Sequence, residues 1–106
     1  MRAGQRIRKE VESWPGIELK PHRFGGVEFV YGRVELGHLH GDELADLPFP
    51  KKTRDELIEA DRARPHHVLP DSGWVSKRIA SEGDVDEVIE LFRMNYERIH
   101  NRRVRL

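Results

Sequence analysis

The chain has 106 residues, of which 37% are hydrophobic and 36% are charged. A chain of this length has room for one hydrophobic core, so we expect a single domain over residues 1–106. Basic and acidic residues number 19 each, and the zero net charge argues against a general electrostatic attraction to nucleic acid. The chain has no cysteine, which excludes disulfides, thiolate metal sites and cysteine nucleophiles.

The segments that direct a chain to or through a membrane are not recognisable in this sequence. No apolar run approaches the roughly 20 residues that a membrane helix needs. The basic N-terminus is not followed by the apolar segment of a signal peptide. We therefore expect a cytoplasmic protein with no membrane association. The basic residues near the C-terminus predict a solvated tail over residues 101–106.

The first half of the chain predicts one helix followed by three strands. Ile7, Val11 and Trp14 have the spacing of one helical stripe, which Pro15-Gly16 ends. Short strand-like runs follow in residues 17–23, 27–31 and 33–36, and Pro21 is typical of an edge strand. Glycine-containing turns between them favour an antiparallel meander.

The second half predicts a loop, a helix, a strand and a longer helix. Residues 41–52 are acidic and then rich in proline, which favours a loop. Thr53 with Glu56 predicts a capping box that opens a short helix, and residues 74–80 predict the fourth strand. Asp84 is the expected N-cap of the last helix, over residues 84–100, whose apolar stripe consists of Val85, Val88, Ile89, Phe92, Tyr96 and Ile99.

The resulting order, α-β-β-β-α-β-α, predicts an α+β two-layer sandwich. Its four-stranded antiparallel sheet would carry the helices on one face. Val75 and Ile79 would face the helices, so Trp74 and Arg78 are expected on the open face. An exposed tryptophan beside an arginine is typical of protein interfaces. This face is therefore a candidate surface for a homodimer or a protein partner.

The histidines provide the candidate ligand site. His38 and His40 lie two residues apart, so they share one face of a strand. Leu36 lies two residues before His38 and is apolar, so this face is expected to be the core face. A bulge at Gly37 would reverse that assignment. We expect His66 or His67 to lie near them, which gives a histidine-rich rim.

Two interpretations of this rim remain open. It is either a hydrogen-bonded polar cluster or a site for a divalent transition metal on His38, His40 and His67. Asp71 or Asp42 would then be a further ligand or would support one.

Asp71 and Ser72 form part of a predicted turn and are also candidate ligand-binding residues. A serine nucleophile would need a base and an oxyanion hole, and the Gly-x-Ser-x-Gly pattern is missing. No dinucleotide-binding glycine fingerprint is present, so no flavin or nucleotide cofactor is expected.

Several motifs resemble a family of small proteins labelled "luciferase domain". The likeness covers roughly residues 10–98, and its motifs are Trp14-Pro15-Gly16, His22-Arg23-Phe24-Gly25-Gly26, Gly37-His38-Leu39-His40-Gly41 and residues 65–76. More distantly, Gly73-Trp74-Val75-Ser76 and a last helix ending near Asn95-Tyr96 look like the MmcQ/YjbR family. That likeness implies a compact α+β fold and a DNA-binding role. The small apolar content leaves little volume for a luciferin pocket, so light emission is not expected.

Three functions follow as expectations. The first is a non-enzymatic binding or interaction module with a histidine-rich rim site. The second is a small metal-dependent or histidine-based enzyme. The third is a nucleic-acid-binding module, by likeness to MmcQ/YjbR proteins alone, and the zero net charge counts against it.

Overall fold

The computed structural model describes residues 1–104, apart from the side chains of Phe24 and Val104. It confirms the predicted α+β class, with helices packed on an antiparallel sheet. Its elements are α1 (Ala3–Glu12), β1 (Ile17–Pro21), β2 (Val27–Tyr31), β3 (Val34–His40), β4 (Leu44–Pro48), α2 (Lys51–Glu59), β5 (Arg64–Pro65), β6 (Trp74–Arg78) and α3 (Glu82–Val104), with a short 3-10 turn at Arg23–Gly25.

The sheet has six strands in the order β1-β2-β3-β4-β6-β5, rather than the four expected. Strand β4 lies in the segment that was expected to be a loop, and β5 is a short edge strand. Apolar residues stand at every second position of this segment, as in a strand, and Ala45, Leu47 and Phe49 are buried. The acidic and proline residues between them gave the segment the composition of a loop. Pro48 is tolerated because it is the last residue of its strand.

The helix starts also differ from the expected ones. Helix α2 begins at Lys51 after Pro50, so Thr53 is not its cap. Helix α3 begins at Glu82, and the Ser81 hydroxyl accepts a hydrogen bond from the Asp84 backbone N–H. Ser81 is therefore the capping residue instead of Asp84. The same helix continues to Val104, so residues 101–104 are helical; the rest of the predicted basic tail lies outside the described residues.

The hydrophobic core lies between the sheet and α1 and α3. Phe29 of β2 meets Phe92 of α3 edge to face with ring centroids 5.0 Å apart, and both are fully buried. The buried Asn95 amide donates to the Leu36 carbonyl at 2.9 Å and ties α3 to β3. Val34, at the start of β3, lies outside this core and is 44% exposed.

A bulge in β3 decides which side chains reach the core. Phe29 pairs with Gly37 and Val30 with Glu35, so Leu36 is an extra residue in β3. Gly37 has φ 154°, and a β-carbon there would lie 2.7 Å from the Asp46 carbonyl oxygen. Only glycine fits this position without strain. Because of the bulge, Leu36 stays in the core while His38 and His40 point to the opposite face of the sheet. The expectation that these histidines extend the core face is therefore wrong.

A helix that spans a bilayer needs roughly 20 mostly apolar residues. Within residues 1–104, no helix combines the length and the apolar content that crossing a bilayer requires.

Candidate functional site

A row of polar side chains crosses the open face of the sheet from one edge to the other. The strand registers pair Glu28 with His38, His38 with Asp46, and Asp46 with Ser76. The pairing continues outward from Glu28 to Lys20 and from Ser76 to Arg64. We call these residues the polar row: Lys20, Glu28, His38, Asp46, Ser76 and Arg64. Directly opposed residues on antiparallel strands share a face. The neighbours Phe29 and Leu39 point into the core, so the polar row lies on the face away from the helices.

Asp46 is the centre of this row and is fully buried. Its Oδ2 accepts hydrogen bonds from Nε2 of His38 at 3.1 Å and from Nε2 of His40 at 3.0 Å. Its Oδ1 accepts the Ser76 hydroxyl at 2.5 Å. Burial alone would raise the pKa of Asp46, but the hydrogen bonds from His38 and Ser76 outweigh it and lower the pKa to about 2. Asp46 is therefore a permanent buried anion at neutral pH.

His38 lies between two carboxylates. Its Nδ1 is 2.8 Å from Glu35 Oε2, and its Nε2 bonds to Asp46. Burial disfavours the charged imidazolium, but these hydrogen bonds outweigh that cost and raise the pKa of His38 from 6.5 to about 9. His38 and Asp46 thus form a buried ion pair in the absence of any other bound cation.

His22 belongs to the same cluster, although the sequence analysis did not place it there. Its ring stacks on His38 with centroids 3.9 Å apart, and its Nδ1 is 3.2 Å from Glu28 Oε1. Residue 22 follows edge strand β1, where the motif His22-Arg23-Phe24-Gly25-Gly26 turns the chain. The motif was the signal available in the sequence, but its distance from His38 along the chain concealed the contact.

His66 approaches Asp46 from the loop between β5 and β6. Its Nε2 lies 3.6 Å from Asp46 Oδ2, and its Nδ1 accepts the backbone N–H groups of Val68 and Leu69, each at 3.1 Å. Burial lowers the pKa of His66, and the attraction of Asp46 does not compensate. The lowered pKa favours a neutral imidazole, and the two hydrogen bonds accepted by Nδ1 place the ring hydrogen on Nε2.

His67 is exposed and stacks on His66, with centroids 4.4 Å apart. Its Nδ1 is 3.5 Å from the Ser76 hydroxyl. That hydroxyl already gives its single hydrogen to Asp46, so it can only accept from His67. Ser76 is therefore not activated as a nucleophile by a histidine base.

The other acidic and hydroxyl candidates lie outside this cluster. The Ser72 hydroxyl donates to the Leu69 carbonyl and accepts the Trp74 backbone N–H, so it closes the turn. Asp71 is exposed and makes no side-chain hydrogen bond within the described part of the chain. Asp42 accepts the Gly4 N–H at 2.8 Å and joins the N-terminal turn of α1 to the sheet.

Trp74 and Arg78 lie on the open face, as the strand alternation predicts. The half-exposed Trp74 ring lies 5.3 Å from the His38 ring and 5.9 Å from the His66 ring. Arg78 is exposed on the same strand. The candidate partner surface and the histidine cluster are therefore one continuous surface, whereas the sequence analysis had treated them as separate.

A cleft of about 640 Å³ opens beside the Ser76 end of the polar row. Arg64 and Arg78 line it and are exposed, and within residues 1–104 neither forms an ion pair. Lys77, also in the lining, lies 3.4 Å from Asp84. The remaining lining residues are Leu44, Asp61, Ala63, Pro65, His67 and Ser76.

Two groups of side chains bring metal-ligating atoms together. One atom from each of His22, His38 and His40 lies within 4.8 Å of the others, and the same holds for Asp46, His66 and His67. The expected trio of His38, His40 and His67 is divided between these groups. His38 and His40 thus lie together with His22, and His67 lies with Asp46 and His66.

Comparison with known protein families gives a match. The family model described as "Luciferase domain" matches residues 33–95, which lie inside the expected range. The matched segment holds the polar row from His38 onward and the cleft, and His22 precedes it. No curated protein and no solved structure matches the chain, so the likeness to the MmcQ/YjbR family stays an expectation.

Proposed function

The chain belongs to the luciferase-domain family, and on the basis of its open sheet face we propose that it is a binding domain for a small acidic molecule. The ligand would lie in the cleft beside Ser76. The observation that carries this proposal is the pair Arg64 and Arg78, two exposed guanidinium groups on one cleft without ion-pair partners in residues 1–104.

The cleft has the size and polarity that such a ligand needs. Small-molecule sites occupy about 300–1,000 Å³ and place a few polar groups around an apolar lining. Here Leu44, Ala63 and Pro65 provide apolar surface, and His67 and Ser76 provide hydrogen-bonding groups. Planar guanidinium groups bind carboxylate and phosphate oxygens in a bidentate manner. A carboxylate or phosphate group is therefore the ligand chemistry that fits.

Buried hydrogen bonds around Asp46, which we call the buried network, hold one residue of the cleft lining in place. Ser76 is held by Asp46 at 2.5 Å, and Asp46 is in turn held by two histidines. A side chain fixed in this way keeps its orientation when a ligand arrives, which reduces the entropy lost on binding. We infer that the network prepares the Ser76 end of the cleft for binding.

Titration with two simple anions tests the proposal. Benzoate and inorganic phosphate would be added in the presence of a chelator while amide and arginine side-chain NMR shifts are recorded. We expect saturable shifts at Ser76, His67 and the guanidinium of Arg64 for one of the two anions. The double variant Arg64→Ala, Arg78→Ala should weaken that binding at least about tenfold, because it removes both charge-assisted contacts.

Arg8→Ala is the matched control, since Arg8 is an exposed arginine on α1, which packs on the other side of the sheet. It should bind as the wild type does. Equal affinity of the double variant and the control would contradict the proposal. Shifts spread over every basic surface with no saturation would do the same.

A histidine-based enzyme is a second candidate, favoured by the His40–Asp46 pair. Nε2 of His40 bonds to a buried carboxylate, and its Nδ1 makes no hydrogen bond within the described residues. A carboxylate-oriented imidazole is the arrangement of a general base. A bound anion that is chemically changed by the wild type over hours, but not by His40→Ala, would support this alternative. A bound anion that stays unchanged would favour the binding domain.

A further inference from the structure

We propose that His22, His38 and His40 bind one divalent transition-metal ion of the Zn²⁺ class on the open sheet face. This site is separate from the cleft, and its existence does not depend on the proposed ligand. It differs from the trio expected from the sequence, because His22 takes the place of His67. Hydrogen bonds to carboxylates orient all three imidazoles.

Each of the three imidazoles is held by a different carboxylate. His22 Nδ1 pairs with Glu28 at 3.2 Å, His38 Nδ1 with Glu35 at 2.8 Å, and His40 Nε2 with Asp46 at 3.0 Å. Carboxylates accept hydrogen bonds, so the hydrogen of each ring lies on the nitrogen that faces its carboxylate.

The nitrogen that would bind the metal ion is then the other one of each ring: Nε2 of His22, Nε2 of His38 and Nδ1 of His40. Nε2 of His38 also bonds to Asp46 in the structure, and a metal ion would take the place of that hydrogen. Histidines that bind metals characteristically donate their second N–H to a carboxylate in this way.

The second group of metal-ligating side chains lacks this property. Nδ1 of His66 accepts two backbone N–H groups, which forces the ring hydrogen onto Nε2. Neither nitrogen of His66 then has a free lone pair for a metal ion. Asp46 in the same group already accepts hydrogen bonds at both oxygens. In the group that contains His22, by contrast, His22 and His40 each form a hydrogen bond through one ring nitrogen only.

Charge also favours a cation here. Three carboxylates, Glu28, Glu35 and Asp46, surround the imidazoles, and among the described residues no lysine or arginine forms an ion pair with any of them. Excess negative charge in a largely buried cluster is costly unless a cation is present. A divalent ion on three neutral imidazoles provides that compensation and leaves a fourth coordination position open to water.

Only small movements are needed to close the site. One ring nitrogen from each of the three histidines lies within 4.8 Å of the others, and nitrogens around a tetrahedral Zn²⁺ are about 3.4 Å apart. The His22 ring, which stacks on His38 at an interplanar angle of 18°, must rotate so that its Nε2 points at the ion. His22 lies in a turn, and its side chain is 21% exposed, so this rotation disturbs no core packing.

Cobalt titration of the full chain tests the proposal. Protein treated with a chelator and then freed of it would be titrated with Co²⁺ while the visible spectrum is recorded. We expect one Co²⁺ per chain, the intense bands of a tetrahedral or five-coordinate site, and displacement by Zn²⁺. His22→Ala and His40→Ala should each weaken binding by about a hundredfold, and Glu28→Gln by about tenfold or more.

His100→Ala and His67→Ala are the controls. His100 lies away from the site against Tyr31 and Tyr96, and its variant should bind cobalt as the wild type does. Loss of binding in His67→Ala with binding kept in His22→Ala would overturn the proposal, because the ion would then be in the other group. Folded wild-type protein that shows neither a tetrahedral nor a five-coordinate cobalt spectrum would also overturn it.

Circular dichroism of each variant separates loss of binding from loss of fold. Benzoate or phosphate binding in the presence of chelator is measured independently. Failure of the metal site with intact anion binding leaves the proposed cleft in place, and the converse result leaves the metal site in place. The two proposals are therefore distinguishable in the same set of proteins.

Discussion

Asp46 is the residue on which the open face most depends. It is fully buried, and three side chains bond directly to its two oxygens, one from β4's neighbour β6 and two from β3. A buried carboxylate of this kind is tolerated only because both of its oxygens accept hydrogen bonds. The sequence shows Asp46 only as one of several acidic residues in an apparent loop, so its role could not be inferred there.

Replacement of Asp46 by asparagine should lower the free energy of unfolding by about 3–5 kcal/mol, the range for breaking a buried ion pair. The cause is the loss of the anion that compensates His38, together with an amide N–H that faces two donors. Urea denaturation of metal-free protein measures the change. Asp71→Asn makes the same chemical change at an exposed turn and should alter stability by less than about 0.5 kcal/mol.

Stability of the chelator-treated protein should depend on pH through the same pair. The raised pKa of His38 contributes stability that is complete below 6.5 and is lost as pH rises through about 9. The lowered pKa of Asp46 contributes stability above 3.8 that is lost as pH falls through about 2. Glu35, His22 and His40 also face His38.

We therefore expect maximal stability from about pH 4 to pH 6.5, with a decline on the alkaline side that is on the order of 3 kcal/mol at most. Urea midpoints measured from pH 3 to pH 10 test this expectation. His38→Gln should flatten the alkaline limb. An unchanged alkaline limb in that variant would assign the decline to other groups.

Among the elements, β3 shows what a local sequence pattern can predict and what it cannot. Its alternation correctly placed His38 and His40 on one face, and the rule that a bulge at Gly37 would reverse the face also proved correct. Whether the bulge forms depends on Phe92, Asp46 and Leu47, which surround Gly37 from other elements. Such tertiary contacts cannot be read from the local pattern, which explains why the facing was wrong.

Strand β4 was missed for a different reason. Its period of two is carried by Ala45, Leu47 and Phe49, but Asp46 and Pro48 between them gave the segment the composition of a loop. The last helix was predicted well because its stripe is long, and Val88 and Phe92 are fully buried as expected. The sequence predicted that histidines form the site. It could not predict that His22 and Asp46 both contact His38, because the pairing of distant strands brings them there.

Gly37→Ala tests the bulge. The added methyl group would meet the Asp46 carbonyl oxygen at 2.7 Å and the Leu47 side chain at 2.9 Å, and φ 154° disfavours alanine. We expect a loss of more than about 2 kcal/mol of unfolding free energy. Gly83→Ala, in the exposed first turn of α3, should instead be neutral or slightly stabilising. Equal effects of the two substitutions would mean that the bulge does not require glycine.

The whole molecule is one sheet with two different faces. Side chains on one face pack against α1 and α3, and those on the other form the polar row, the histidine cluster and part of the cleft lining. Strands β3 and β4 lie at the centre of the strand order, and β1 and β5 are its edges. The centre of the sheet therefore holds both the tightest packing and the buried network.

Amide hydrogen exchange should follow this arrangement. Backbone groups in β3 and β4 have partners on both sides, so they should exchange slowest, together with the buried face of α3. Strand β5 is Arg64–Pro65 at an edge, and its one amide hydrogen, on Arg64, should exchange fastest among those of the strands. Exchange followed by NMR measures this order. Slow exchange in β5 with fast exchange in β4 would contradict the strand order.

The register of the polar row also limits how this chain can change in length. One residue inserted or deleted within β3 or β4 would exchange the two faces, so that imidazoles would enter the core and leucines would enter water. Length changes inside these strands should therefore abolish folding. The segment 66–73 contains one turn and borders the cleft through His67, so its length can vary with far less damage. Among homologues, ligand preference would then change by loop insertion here, while the strands keep their length.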